Sequence, residues 1–518
     1  MNPQDHRSPF RRSPGPLWLL AGGVLLLALE GGGLLPMAAL LGALSPQGSL
    51  SPPLVELLRQ SQWWLGISLA AGAVLSALAV HPRCVLAAPA AALTRSPWLL
   101  PLLAAAGMAG ALAVQHVLLD GIPHVTDASS HWFQARIFRS GRAAVPVPPC
   151  PEAFFQHGVV MGDTGLWHSK YYPGTALGLA VLGRAFVPLS FGLLLWAFHF
   201  IAGRYLPRPV ALLSTAALAW SPMMLLLAGS FMSHVPLLMW MSLAWAGALK
   251  AVESGRGHFA AGAGFAAGLG VLTRPLDGAL LGVLIGAAIL ADGRFAPRRK
   301  AQAFGWSLAG VAIPAIGMLI LNRFLYGTPW TTGYNFSHSS AHYGIRVGLS
   351  ESFPLSTALL QGGWVLAKLN QALLGWPTSF LFAAWALLFS ARRRQAWLVA
   401  VTALVLYLPY FFYFYYGFEY EARYTFSTVP FLCILTGMGL HAAWQSPWRR
   451  LLPGLVLAFV LYAAVYYWPA YLWPRYAGAY EESSPAIHQA AEQAGLDLPA
   501  LVLLPDKGFV YTSGFIYN

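Results

Sequence analysis

The sequence predicts an all-α polytopic membrane protein with about 13 transmembrane helices, in a range of about 11 to 14. The first observation is composition, since 57% of the 518 residues are hydrophobic and only 9% are charged. Soluble globular proteins carry about 25% charged residues, so this chain has too few to cover a water-exposed surface. The second is a series of apolar runs close to the roughly 20 residues that cross a bilayer. The third is a one-sided distribution of positive charge between the runs.

The apolar runs define the predicted helices in chain order. The first run follows a basic N-terminus but lacks a small-residue cleavage site, so we interpret it as an uncleaved span and not as a signal peptide. An odd number of crossings from a cytoplasmic N-terminus places the C-terminus outside. The runs are 16–44, 62–80, 97–119, 188–205, 209–228, 235–250, 258–272, 276–292, 302–322, 376–392, 396–414, 425–443 and 451–472.

Positive charge in the short loops sets the predicted orientation. Cytoplasmic loops are enriched in Lys and Arg, and here the basic short loops all fall on one side. This asymmetry accounts for the formal charge of +13, so no nucleic-acid partner is expected. A composition rich in Ala, Gly and Leu, with Arg favoured over Lys, indicates the plasma (inner) membrane of a bacterium. The basic loop residues are Arg83, Arg95, Arg204, Arg208, Arg294 to Lys300, Arg392 to Arg394, Arg449 and Arg450.

Three segments are too long to be simple connectors, and all three are predicted on the outer side. Long structured loops usually carry function, so the outer face is the predicted working face. Interfacial helices have an apolar face and a cationic rim, and 128–140, 174–187 and 355–372 are candidates. The predicted division is 1–119 for the N-terminal transmembrane helices, 120–187 for the first outer loop, 188–322 for the central transmembrane helices, 323–375 for the second outer loop, 376–472 for the C-terminal transmembrane helices and 473–518 for an outer tail.

Asp127 is the first candidate for chemistry. It follows the third predicted span by a few residues and begins the amphipathic helix 128–140. One interpretation is an N-cap, since an Asp just before a helix accepts hydrogen bonds from free backbone N–H groups. The other is a general base at the membrane surface that takes a proton from an acceptor hydroxyl. The two roles are compatible.

Lys170 and Arg274 are cationic candidates for contact with a lipid phosphate. Lys170 lies in a run of Trp and Tyr residues, which are also typical membrane anchors, and it can meet a phosphate as a point charge. Arg274 precedes Pro275 at a break between two short apolar runs. Such a break is tolerated where the backbone is buried or lines a cavity, so a function is the default for this ionisable group. A local ion pair with Asp277 is the alternative.

Arg423 is the third cationic candidate and lies in a short outer loop between aromatic-rich spans. A guanidinium suits bidentate contact with a phosphate, and a salt bridge to Glu419 or Glu421 is the alternative. His234 closes another very short outer loop and is either structural or functional. Tyr334 lies at the start of the second outer loop, among Trp, Tyr and Thr side chains that either hydrogen-bond a sugar or form a turn.

Five short motifs occur in a fixed order in the sequence. They are Asp127-Ala-Ser-Ser-His-Trp-Phe-Gln-Ala135, Lys170-Tyr-Tyr-Pro-Gly174, Ser230 to His234, Thr273-Arg-Pro275 and Arg423-Tyr424. With these motifs the sequence resembles the GT-C superfamily of integral-membrane glycosyltransferases, which includes the protein O-mannosyltransferases and the lipid A aminoarabinose transferase, and the likeness covers roughly 120–440. The chain departs from the family pattern at His131, where the family has Tyr, at the Ser233-His234 loop, where many members carry an acid, and in two extra spans before the first motif.

The resemblance implies a GT-C-like fold and a reaction. Such enzymes take a sugar, hexosyl or pentosyl, from a polyprenyl-phosphate carrier on the outer face and pass it to a hydroxyl on a glycan, lipid or protein, usually with inversion. An acid in the first large outer loop is their general base, a place that Asp127 occupies. Basic residues near the membrane hold the donor phosphate, and the candidates are Lys170, Arg274 and Arg423. The substrate-binding candidates are His131, Gln134, Tyr171, His234, Tyr334 and Tyr424.

Motifs for nucleotide binding are absent from the sequence, as is the zinc motif HExxH, so an enzyme of this kind has to draw its donor from the bilayer. No metal ligand is assigned, because Asp127 has no second acid nearby in the sequence, and a requirement for a divalent cation stays open. The alternative function is a transporter or flippase of a lipid-linked glycan. Transporters often carry broken helices in corresponding halves, whereas only one break, at Arg274, is present here.

Overall fold

The computed structural model describes most of the chain between residues 96 and 480. The predicted spans 16–44 and 62–80 lie outside the described residues apart from Ile67 and Gly72, and so does most of the tail 473–518. The described residues are 96–154, 158–161, 164–336, 348–350, 353–413, 419–478 and 480, with Ile67, Gly72 and Gln493.

Helices dominate the described residues, because a helix satisfies the backbone polar groups of an apolar segment within the segment itself. Prolines stand mostly at the first turns, where their missing N–H costs no hydrogen bond. The helices are α1 Leu99–Ala113, α2 Thr126–Arg139, α3 Pro173–Leu182, α4 Phe186–Tyr205, α5 Arg208–Trp220, α6 Pro222–Gly229, α7 His234–Ser254, α8 Gly257–Thr273, α9 Pro275–Ala291, α10 Pro297–Tyr326, α11 Gly333–Phe336, α12 Leu355–Leu374, α13 Leu381–Phe389, α14 Arg393–Phe411, α15 Val429–Trp444, α16 Leu452–Tyr462 and α17 Trp473–Tyr476.

Within the described residues, seven helical stretches are long and apolar enough to cross a membrane, and the pair α5 and α6 makes an eighth if it is one broken span. The prediction of an all-α polytopic membrane fold is confirmed, while the count of about 13 stays a prediction. The predicted run 209–228 bends by 55° between α5 and α6. The bend falls at Ser221 and Pro222, where proline cannot donate to the preceding turn.

The predicted interfacial helix 174–187 continues into the next span. Helices α3 and α4 form one stretch from Pro173 to Tyr205, joined by a single 3-10 turn at Gly183–Ala185. The predicted helices 128–140 and 355–372 correspond to α2 and α12.

A small antiparallel sheet lies between α2 and α3. Its strands are β1 Val145–Pro146, β2 Val159–Met161 and β3 Leu166–Ser169, and β3 lies in the middle. In the register Val145 pairs with Trp167, and Val160 pairs with His168. The sheet packs on α2 through an apolar cluster that includes Phe133. It therefore fixes the point where the chain leaves β3.

The main hydrophobic core joins α1, α4, α6, α7, α12 and α15. Small residues of α8 let it pack closely against both α7 and α10. The connections between α6 and α7, between α8 and α9, and ahead of α15 leave these packed helices. They carry three of the five predicted motifs.

Candidate active site

Asp127 lies in the first turn of α2. The N-cap residue is Val125, which is extended and offers no side-chain cap, so the N-cap interpretation of Asp127 is replaced by a first-turn position. The Asp127 carboxylate is partly buried, and its Oδ1 accepts a hydrogen bond from the Tyr171 hydroxyl. The positive end of the helix dipole favours a negative charge there.

The charges around Asp127 keep its carboxyl ionised. Burial acts to raise its pKa, but Arg423, the hydrogen bond from Tyr171, Lys170 and His131 all act to lower it. The net effect is a pKa below the ordinary value for Asp. Burial, followed by the Asp127 charge, raises the pKa of Tyr171 well above its ordinary value, so this hydroxyl stays a hydrogen-bond donor.

Gln134 braces the segment that carries Lys170 and Tyr171. Its Oε1 accepts from the backbone N–H of Ser169 at 2.9 Å, and its Nε2 donates to the carbonyl of Ala143 at 2.9 Å. Both ends of this amide therefore contact backbone. These contacts tie α2, about two turns after the catalytic candidate, to the end of β3.

Two glycines let other parts of the chain approach this segment. A Cβ at Gly174 would lie 2.8 Å from the carbonyl carbon of Leu272, and a Cβ at Gly333 would lie 2.6 Å from the Cα of Lys170. Real Cβ atoms do not come so close to backbone, so a larger residue at either position forces the two segments apart. The first contact brings the Lys170 segment to the break before Arg274. The second brings in the start of the segment that follows α10.

The Lys170 ammonium lies among aromatic rings. It is 5.3 Å from the ring centre of Tyr171 and 5.9 Å from that of Tyr334, within the range of cation–π attraction. Burial lowers the pKa of Lys170 and outweighs the opposing effect of Asp127. Burial also raises the pKa of Tyr334, and the Asp127 charge adds to that effect. Tyr334 therefore lies within electrostatic range of the carboxylate.

Arg274 bridges the broken pair α8 and α9 to two other elements. Its Nε lies 3.1 Å from Oδ2 of Asp277, which is the local ion pair that the sequence left as an alternative. Its Nη1 lies 3.4 Å from both Ser233 Oγ and His234 Nε2, and its Nη2 lies 3.4 Å from the Tyr410 hydroxyl. All three nitrogens of the guanidinium thus have partners, which lie on α9, at the start of α7 and on α14.

The Arg423 guanidinium is buried, and not all of its nitrogens have a hydrogen-bond partner among the described residues. Its Nη2 lies 3.4 Å from Glu419 and 3.2 Å from the Tyr424 hydroxyl, so the salt-bridge alternative holds for Glu419, while Glu421 makes its ion pairs elsewhere. The Nε and Nη1 of Arg423 are buried and have no hydrogen-bond partner among the described residues. Buried donors without a partner are costly, so they mark a place where an anion would be stabilised.

His131 lies one turn after Asp127 and is buried. Its ring centre is 5.2 Å from that of Tyr171. Burial lowers the pKa of His131 to about 4, against the attraction of Asp127 and with the help of Arg274. The imidazole is therefore neutral at neutral pH, and its Nδ1 has no hydrogen-bond partner in the described part of the chain.

The structure brings the ten sequence-predicted site residues into one region, although their roles stay predictions. Sequence reasoning missed Tyr410, Tyr413 and Phe426. Tyr410 donates to Asp277 at 2.5 Å, the Tyr413 ring lies 5.4 Å from that of Tyr424, and the Phe426 ring lies 5.1 Å from the Arg274 guanidinium. Within the described residues, no three His, Cys, Asp or Glu side chains are grouped as metal ligands.

Comparisons with known proteins give a match in fold alone. No protein-family model matches the chain, and no curated protein matches it in sequence. ArnT from Cupriavidus metallidurans, solved with undecaprenyl phosphate, has 15% identity and a TM-score of 0.51, over 80% of this chain and 84% of that one. The oligosaccharyltransferase of Archaeoglobus fulgidus, with 13% identity over 78% of this chain and 56% of that one, reaches a TM-score of only 0.41.

The chain therefore has a polytopic membrane fold similar to that of ArnT, in keeping with the resemblance that its motif order indicated. Among solved structures, ArnT is one that it resembles over most of both chains. It is an integral membrane protein with several apolar spans.

Proposed function

We propose that this protein is a membrane glycosyltransferase that moves a sugar from a polyprenyl-phosphate-linked donor to an acceptor hydroxyl. The observation that carries the proposal is the pairing of an ionised, partly buried Asp127 with the Arg423 guanidinium, whose Nε and Nη1 have no hydrogen-bond partner among the described residues. A carboxylate and a cation are the two groups that this reaction needs at one place. The GT-C fold, shared with a protein solved with undecaprenyl phosphate, supports the choice of carrier.

In the proposed step, Asp127 takes the proton of the acceptor hydroxyl while the oxygen of that hydroxyl bonds to the anomeric carbon. The bond from that carbon to the phosphate oxygen breaks, and its electron pair leaves with the polyprenyl phosphate. Arg423 and Lys170 stabilise the charge that develops on this phosphate, with Arg274 beside them. Attack opposite the leaving phosphate inverts the anomeric centre.

The surroundings of Asp127 fit a base that works near neutral pH. Its pKa is lowered, so the carboxylate form is present well below pH 7. The rings of Tyr171, Tyr334 and Tyr424 provide flat faces and hydroxyls of the kind that bind sugars. We propose that the site opens to the outer (periplasmic or extracellular) face, since the basic short loops of α4–α5 and α9–α10 are at the other ends of the helices.

Transfer by the purified protein in nanodiscs tests the proposal. A panel of radiolabelled hexosyl and pentosyl polyprenyl phosphates is mixed with envelope extract as the source of glycan, lipid or protein acceptors. We expect wild type to attach label covalently to an acceptor, Asp127→Asn to lose at least about a hundredfold in rate, and Asp120→Asn, the same change seven residues earlier, to match wild type.

Equal transfer rates for Asp127→Asn and wild type would refute the assignment of Asp127 as the general base. Movement of the labelled lipid between leaflets, without covalent transfer, would refute the proposed glycosyltransferase activity and support a flippase.

A further inference from the structure

Tyr420 and Glu421 have an unusual backbone conformation just before Arg423. Their φ angles are +53° and +63°, the left-handed region that residues with a Cβ rarely occupy. Two such residues in succession are held only where the surroundings over-determine the conformation. Such strain is characteristic of functional sites, and here it lies two residues from a proposed phosphate ligand.

Tyr420 is held by stacking. It is buried at 1% exposure, and its ring is stacked on that of Tyr476 with centres 6.0 Å apart. A second ring, that of Tyr480, lies 5.6 Å away. These aromatic contacts hold the side chain and therefore favour the backbone conformation that places it there.

Glu421 is held by a buried polar cluster. Its own N–H donates to the Tyr476 hydroxyl at 3.0 Å, and that hydroxyl donates to Glu421 Oε1 at 3.0 Å. Lys368 from α12 lies 3.8 Å from Oε2, and Arg475 from α17 lies 3.5 Å from Oε1. The Tyr471 hydroxyl lies 3.3 Å from Oε2 and also accepts from Lys368. Three separate elements thus meet on one carboxylate with 1% exposure.

We propose that Glu421 and its partners form a clamp that positions Arg423 for the donor phosphate. The ion pair of Arg423 among the described residues is with Glu419, which is not one of the clamp residues. The clamp acts through the backbone, because the conformation of Tyr420 and Glu421 sets where the next turn begins. The inference rests on the proposed function for the phosphate, and Glu421 is a positioning residue in it, not a catalytic one.

A double-mutant cycle on carrier binding tests the clamp. Affinity for undecaprenyl phosphate is measured for wild type, Glu421→Gln, Arg423→Met and the double variant in nanodiscs. We expect Glu421→Gln to weaken binding about tenfold in wild type and to have no further effect once Arg423 is Met, since coupled residues are not additive. If Glu421→Gln weakens carrier binding equally with Arg423 and with Met at position 423, the two effects are additive, and the positioning role of the clamp is refuted.

A second measurement keeps the clamp separate from the carrier proposal. Labelling of Arg423 by phenylglyoxal, followed by mass spectrometry, needs no ligand. We expect several-fold more labelling in Glu421→Gln than in wild type, and unchanged labelling would overturn the clamp. Failure of wild type to bind the carrier, together with increased labelling, would refute the carrier proposal and support the clamp.

Matched variants control for folding. Glu253→Gln makes the same change in a partly exposed ion pair, to Arg204 at 3.0 Å, at the opposite helix ends, and we expect it to leave both readouts unchanged. Tyr476→Phe removes only the hydroxyl that meets both the N–H and the carboxylate of Glu421. It keeps the stacked ring, so it reports on the clamp if Glu421→Gln does not fold.

Discussion

Removing the hydroxyl that contacts the Asp127 carboxylate makes the sharpest test of the proposed chemistry. Tyr171→Phe deletes one of the causes that lower the pKa of Asp127 and leaves the ring in place. A hydrogen bond to a charged group contributes about 1.5–3 kcal/mol. We take the lower end because the carboxylate is only partly buried. At about 1.4 kcal/mol per pKa unit, the pKa of Asp127 then rises by about one unit.

The sign of the expected shift follows from the active form of the base. Since the carboxylate is the active form, a higher pKa moves the acidic limb of the kcat/KM profile upward by about one pH unit. The pH dependence of unfolding gives a second readout. A lowered pKa in the folded state stabilises the protein above the ordinary pKa of Asp, and this stability is lost as pH falls through the folded value. Tyr171→Phe reduces that contribution.

The assay is sugar transfer between about pH 3 and 8, followed in wild type and Tyr171→Phe. Tyr407→Phe is the matched control, because its hydroxyl contacts the Gly362 carbonyl at 3.4 Å, and we expect its acidic limb to coincide with that of wild type. An acidic limb that stays in place in Tyr171→Phe would refute the assignment of Asp127 as the titrating base.

Three further predictions concern other parts of the site. His131→Asn leaves the profile between pH 5.5 and 8 unchanged in shape, since the pKa of His131 is about 4, and a lost limb near pH 6.5 would contradict this. Asp277→Asn lowers the free energy of unfolding by about 3–5 kcal/mol in denaturant titrations, because it leaves Arg274 without its buried partner, and a loss below about 1 kcal/mol would contradict it. Gly333→Val lowers the melting temperature and the transfer rate together, whereas Gly363→Val, where an added Cβ meets open space, changes neither.

Much of the fold was accessible from the sequence, because each apolar run carries its own signal. The break before Arg274 was visible as a proline between two short runs, and the helix after Asp127 was visible from its amphipathic spacing. The sheet was not, since its strands have only two to four residues and no alternation long enough to detect. The bend at Ser221 was also hidden, because the apolar run continues through it.

The site was accessible only as separate motifs. The motifs gave Asp127 and Arg423, but nothing in the sequence reveals that a residue near position 127 interacts with one near 423, since that is a property of tertiary packing. Tyr410 and Tyr413 were missed for a different reason. Tyrosines at the end of an apolar run are typical membrane anchors, so their contacts with the site carry no distinct signal.

The contact of Gly333 with the backbone of Lys170 has a consequence for protein engineering. No side chain separates the segment after α10 from the segment between β3 and α3 at this point, so the first supports the second directly. A chimera that exchanges the segment after α10 therefore has to keep glycine at this position and the same spacing from α10. A graft that ignores the spacing would displace Lys170 along with that segment.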